Sequence, residues 1–303
     1  MRFPRRIPLP AVRLGLAALA FALLAPARAF PPAPFFTLYG TVRDEQGQAL
    51  QLDGDVVVFY KNGVEVLRQN ITEDSQFDQN YQIRIRMDMQ RAGTASYSDL
   101  ANATGTPFTV AVLIHNIPYY PIEMSVARSV GRPGERVRLD LTLGVDSDGD
   151  GLPDAWEEAQ LFAAGVQPGP NGWDLSLITR DGDFDHDGRS NYEEYVAGTY
   201  ATDPSDHLDL RIAGKTDFST HLQFFAIYGK TYTLEASTDL KTWTLVPFYL
   251  SSPDPVTVGD NETPPPAPVA QKILSATTTG VTDLYADPAS SSKRAYFYRL
   301  NVR

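Results

Sequence analysis

The sequence predicts a mainly β chain: an N-terminal antiparallel β-sandwich, a central module with short helices, and a small C-terminal β domain. Three observations predict it. Apolar and polar residues alternate with period two in several separate segments, the signature of half-buried strands. Proline (23) and glycine (22) are plentiful, which suits short strands joined by many turns. Between residues 146 and 206, aspartate and glycine cluster and the alternation stops.

Each element follows from its own pattern. Val56, Val57, Val58, Phe59 and Tyr60 precede Asn62-Gly63, a favoured two-residue hairpin turn, and Val64 to Leu67 return. Tyr81, Ile83, Ile85 and Met87 alternate with Gln82, Arg84 and Arg86. Phe108, Val110, Val112 and Ile114 repeat the pattern, as do Val137, Leu139, Leu141 and Leu143. Helices are expected over 153–164 and 191–197, each directly after an Asp-Gly cluster. Beyond His207 the strand pattern returns in Tyr232, Leu234 and Ala236, and in Tyr296, Tyr298, Leu300 and Val302. Between these, Pro253, Pro255 and the run Pro264-Pro265-Pro266 mark an exposed loop with polyproline character.

The first 29 residues are expected to lie outside the fold. Arg2, Arg5 and Arg6 open the chain, an apolar run covers 14–24, and Ala27-Arg28-Ala29 supplies small residues at the −3 and −1 positions of a signal-peptidase site. The run is shorter than the roughly 20 residues a membrane-spanning helix needs. Export is therefore expected, to the periplasm, the cell surface or the medium, with no transmembrane segment after cleavage. The expected division is signal peptide 1–29, β-sandwich 30–145, acidic module 146–206 and C-terminal β domain 207–303.

The net charge is −11, and removing a leader with five arginines and no acid takes it to −16 (−11 − 5). Such acidity repels nucleic acid and favours divalent cations. The chain has no cysteine, so no disulfide supports it in an oxidising compartment.

Two twelve-residue stretches carry the chemistry. Counting Asp146 as position 1 places carboxylates at Asp146, Asp148, Asp150, Asp154 and Glu157, with glycine at position 6. Counting from Asp183 places oxygen side chains at Asp183, Asp185, Asp187, Asn191 and Glu194, again with glycine at position 6. Calcium takes about 6–8 oxygen ligands without strict angles. Alternate residues of a tight loop point at one centre, and glycine at position 6 allows the turn. Position 7 (Leu152 or Arg189) supplies a backbone carbonyl, and the glutamate at position 12 closes the shell. Magnesium, which prefers fewer protein oxygens and keeps its waters, fits less well. Pro153 and Ser190 at position 8, and entry into the first loop from a strand, point to structural sites rather than to a sensor pair. Asn191 makes the second loop the expected weaker site.

The stretch from Asp146 to Glu157, and that from Asp183 to Glu194 followed by Gly198-Thr199 and Asp203-Pro204, resemble the bacterial thrombospondin type 3 repeat, with EF-hand-like loops. The resemblance implies calcium held by the acidic residues. Gly40-Thr41-Val42-Arg43-Asp44 with Gly47 is similar to the opening of a carboxypeptidase-regulatory-like sandwich. The segment from Tyr232 to Leu240, with Trp243 and the Phe297-Tyr298-Arg299-Leu300 ending, is similar to exported multidomain proteins of the Verrucomicrobia type.

No catalytic constellation is present in the sequence. His115, His186, His207 and His221 lack zinc-site spacing, and there is no nucleophile elbow or cysteine. The function expected is an exported, non-enzymatic calcium-binding protein whose loops rigidify the junction between two β domains. The alternatives are a cell-surface adhesion or carbohydrate-binding module, with polysaccharide or protein as partner, and a non-catalytic accessory of a secreted hydrolase.

Overall fold

A computed structural model of the chain describes residues 33–50, 56–72, 79–88, 98–254, 268–287 and 296–303. The expected leader and residues 255–267 of the proline-rich segment lie outside them. The fold is mainly β.

The first unit contains β1 (Ala33–Gly40), β2 (Val42–Arg43), β3 (Val56–Lys61), β4 (Val64–Asn70) and β5 (Tyr81–Met87). It continues with β6 (Pro107–Ile114), β7 (Ile117–Tyr119), β8 (Arg128–Ser129), β9 (Arg136–Arg138) and β10 (Leu141–Thr142). One sheet runs β4-β3-β6-β7, with β8 also on β6; a second runs β5-β1-β9, and β10 pairs with β2. Leu38, Ile83 and Ile85 from one layer meet Val57, Phe59 and Val110 from the other in a shared core. The β3–β4 turn is Asn62-Gly63, with φ of 52° and 75°, the two positive values a type I′ hairpin requires.

The pairings are not all antiparallel as expected. β9 adds to β1 in parallel (Leu38 opposite Val137), and β10 adds to β2 in parallel (Leu141 opposite Val42). Alternation in 137–143 determines which side chains face the core, but says nothing about partner or direction.

The second β unit contains β11 (Arg211–Lys215), β12 (Thr220–Ala226), β13 (Thr231–Ser237) and β14 (Thr244–Leu245). It closes with β15 (Phe248–Tyr249), β16 (Ile273–Ser275), β17 (Gly280–Ala286) and β18 (Phe297–Val302). Its two sheets, β11-β12-β17-β15 and β14-β13-β16 with β18 on β13, enclose Leu222, Phe224, Tyr232, Leu234, Phe248 and Leu284.

Between the two units lie α1 (Asp154–Ala163) and α2 (Asn191–Ala197). They have their own small core of Leu152, Trp156, Leu161, Ile178, Tyr195 and Ala201. Trp156 meets Tyr195 edge-on at 5.5 Å, so an aromatic of α1 reaches α2. Ser190 caps α2 with a reciprocal capping box to Glu193, and Gly198 ends it at φ 82°.

A single turn joins all three parts. Asp44 folds the 44–48 segment by accepting the amides of Gln46 (2.9 Å) and Gln48 (2.8 Å). The Tyr195 hydroxyl donates to the Asp44 carbonyl at 2.9 Å. Lys230, fully buried, donates to the Gly47 carbonyl at 2.6 Å and to the Tyr195 carbonyl at 3.3 Å.

Candidate metal centre

The two acidic loops have the same backbone plan. In the first, Asp146 accepts the amides of Gly149 (2.8 Å) and Gly151 (3.1 Å). In the second, Asp183 accepts those of His186 (2.8 Å) and Gly188 (3.0 Å). Asp148 and Asp185 each accept the amide two residues on, at 3.3 and 3.1 Å. Asp150 does the same with Leu152, and Asp187 with Arg189, both at 2.7 Å. Position 4 has positive φ in both loops, 80° at Gly149 and 66° at His186, and position 6 is at 94° in both, at Gly151 and Gly188. These side-chain-to-backbone bonds coil each loop so that its carboxylates converge.

Within each loop, one carboxylate oxygen from each of positions 1, 3 and 5 lies within 4.8 Å of the others: Asp146, Asp148 and Asp150 in one, Asp183, Asp185 and Asp187 in the other. The glutamates at position 12 are the informative members. Glu157 and Glu194 are buried, and among the described residues neither oxygen of either carboxylate has a hydrogen-bond partner. Burying a carboxylate without partners is costly, so such groups are normally paired or bound to metal. Burial first, then repulsion from Asp150 and Asp148, pushes the Glu157 carboxyl up to about 9. Burial, then Asp185 and Asp187, raises Glu194 to about 8. Asp148 and Asp185 are also raised, chiefly by burial. A divalent cation at the centre of each loop would remove the penalty that these shifts report.

Position 9 plays a second part. Asp154 accepts the amide of Ser147 at 2.8 Å, and Asn191 accepts that of Phe184 at 3.1 Å, so each laces position 2 of its loop to the exiting helix. The Asn191 amide also donates to the Thr179 carbonyl at 2.7 Å. Leu152 at position 7 is buried, and its side chain belongs to the module core. Arg189, its counterpart, is exposed.

Every side chain brought together within these two clusters offers oxygen and none offers sulfur or imidazole, so the donor sets are those of a site that could hold a hard metal ion. His207 approaches the second loop from outside, its Nδ1 lying 3.6 Å from Asp187.

Sequence spacing did not reveal Arg180. Its amide donates to the second oxygen of Asp150 at 2.6 Å, and its guanidinium donates to the Gly151 carbonyl at 3.0 Å. The same guanidinium lies 3.5 Å from the centre of the Tyr192 ring on α2. The Tyr192 amide returns a bond to the Arg180 carbonyl at 3.1 Å, and that of Asn191 bonds the Gly182 carbonyl at 2.8 Å. The 179–182 segment thus fastens the first loop to the helix that leaves the second.

No family model, curated protein or solved structure matches the chain. Among the described residues, no helix is long and apolar enough to cross a membrane.

Proposed function

We propose that this chain is an exported calcium-binding structural protein in which the two loops, of thrombospondin type 3 character, bind Ca²⁺ and rigidify the junction between the two β units. The observation that carries this reading is the pair of buried glutamates, Glu157 and Glu194, without hydrogen-bond partners among the described residues and each repelled by the three convergent aspartates of its loop. In the metal-free protein these groups repel one another, and binding converts the repulsion into ligation. The ligands proposed are Asp146, Asp148, Asp150, Asp154, Glu157 and the Leu152 carbonyl for the first loop. For the second they are Asp183, Asp185, Asp187, Asn191, Glu194 and the Arg189 carbonyl. Support for a junction role comes from Tyr195, the residue after Glu194, which donates to Asp44 of the first unit and accepts from Lys230 of the second. Ordering α2 by metal therefore orders both attachments.

The test is metal analysis of the protein together with thermal unfolding in calcium and in chelator. Two calcium ions per chain are expected. At a calcium level of about 100 times Kd, each site adds about 2.7 kcal/mol of stability. Melting that calcium and chelator leave identical, with no bound ion, would rule the reading out.

A further inference from the structure

One sheet face of this acidic chain carries a cluster of exposed arginines. The inward residues of β5-β1-β9, among them Leu38, Ile83 and Ile85, belong to the core, so the alternate residues face outward. These are Arg84 and Arg86 on β5, Phe35, Thr37 and Tyr39 on β1, and Arg136 and Arg138 on β9. The register sets Thr37 between Arg84 and Arg136, and Tyr39 between Gln82 and Arg138. At ordinary strand spacings, Arg84 and Arg136 spring from points about 10 Å apart, and Arg84 and Arg86 from points about 7 Å apart.

The guanidiniums are held in place. Arg84 lies 4.4 Å from the centre of the Phe35 ring and Arg136 lies 5.0 Å from that of Tyr39. Stacking on a ring uses the flat face of a guanidinium and leaves its N–H edge available for a planar anion. Arg138 is engaged by Asp140 at 3.0 Å. Among the described residues no carboxylate pairs with Arg84, Arg86 or Arg136, and all three are exposed. In a chain of net charge −11, these are three neighbouring arginines that pair with no carboxylate among the described residues, and they make a local basic cluster.

We propose that this sheet face binds an acidic polysaccharide, with its ring carboxylates paired to Arg84, Arg86 and Arg136. Guanidinium–carboxylate forks give such pairs geometric definition as well as charge. Duplex nucleic acid fits less well, because one phosphate every ~1.7 Å would meet the long-range repulsion of the rest of the chain. A sugar polymer carries its charges farther apart. An anionic membrane also fits less well: each arginine contributes only about 1 kcal/mol there, and Phe35 and Tyr39 lie beneath guanidiniums rather than standing free to insert. The proposal is independent of calcium binding by the loops.

The test titrates the full chain, at fixed calcium and low salt, with hyaluronan oligosaccharides, neutral dextran, phosphatidylglycerol vesicles and duplex DNA. Hyaluronan is expected to bind and dextran not to, with binding weakening as salt rises. The Arg84→Gln/Arg136→Gln variant should bind at least about tenfold more weakly at an unchanged melting temperature. Arg86→Gln, which removes a cation stacked on no ring among the described residues, should weaken binding alone should the double variant not fold. Absence of hyaluronan binding, undiminished binding by the variants, or equal retention of vesicles or DNA would overturn the proposal.

Discussion

The Lys230 ammonium donates to the Gly47 carbonyl at 2.6 Å across 183 positions of sequence. With its second bond to Tyr195, it is the point at which the two β units and the acidic module are tied together. Both acceptors are carbonyls, so among the described residues the amine is buried without a matching negative charge in bonding contact.

Lys230→Ala should therefore lower stability by about 2–4 kcal/mol, from lost packing and two carbonyls left without their donor. Urea unfolding of wild type and variant at one calcium concentration measures this. The pH dependence has a fixed sign. Burial pulls the Lys230 amine down from 10.5 to about 7, so the unfolded chain holds a proton that the folded chain releases in that interval. The cost is full below about pH 7 and fades toward 10.5, so this contribution makes the protein more stable as pH rises. Lys230→Met should flatten that part of the profile.

The buried glutamates have the opposite sign. Their folded values, about 9 for Glu157 and about 8 for Glu194, lie above the ordinary 4.5. Their stabilising protonation is complete below 4.5 and lost as pH rises through 8 to 9, so metal-free protein weakens toward alkaline pH. Calcium requires the ionised form, so binding at pH 7 should expel about one proton per site. Calorimetry in buffers of different ionisation enthalpy reads this directly. Glu157→Gln and Glu194→Gln should each remove one bound ion and its proton; heats independent of buffer would refute the assignment.

Arg180→Ala removes the bond to the Gly151 carbonyl and the stack on Tyr192, but keeps the backbone amide on Asp150. A loss of about 1–2 kcal/mol is expected. Because Arg180 bridges one loop to the helix of the other, calcium binding at the two sites should also become more independent. Titrating Glu157→Gln and Glu194→Gln with and without Arg180→Ala isolates the coupling. If the coupling energy is unchanged, Arg180 is not the bridge.

Two equivalent glycines separate strain from contact. Gly151 and Gly188 share φ of 94°, but a Cβ on Gly188 meets nothing, whereas one on Gly151 comes within 3.0 Å of the Arg180 guanidinium. Gly188→Ala should cost about 1–2 kcal/mol, from backbone strain alone. Gly151→Ala should cost more and disturb the Arg180 bond, so their order in thermal melts checks the loop geometry. Equal losses would argue against it.

What the sequence made legible was local. Alternation in Tyr81 to Met87 set the inner and outer faces of β5, and Asn62-Gly63 fixed a hairpin, because each rule acts within a few residues. The carboxylate spacing from Asp146 and from Asp183 was readable for the same reason, since a single coiled loop brings positions 1, 3 and 5 together. Arg180 was not, lying 30 positions from the aspartate that its amide serves, with nothing in its neighbours marking it. Lys230 lies in Gly229-Lys230-Thr231, a sequence that suits a solvated turn; it takes the arrival of both the 44–48 turn and α2 to cover it. The parallel partners of β1 and β2 were hidden too, because alternation carries no direction.

That parallel pairing has a mechanical side. β1 begins at one end of the first unit, and β10 delivers the chain to Asp146 at the other. Traction between residue 33 and the acidic module would draw β1 and β9, and β2 and β10, past one another along their length. Hydrogen bonds loaded in this way share the force and fail together, whereas those of a peeled hairpin break singly. Pulling residue 33 against Asp146 in a single-molecule extension measurement should therefore meet one cooperative rupture of these parallel pairs rather than stepwise peeling.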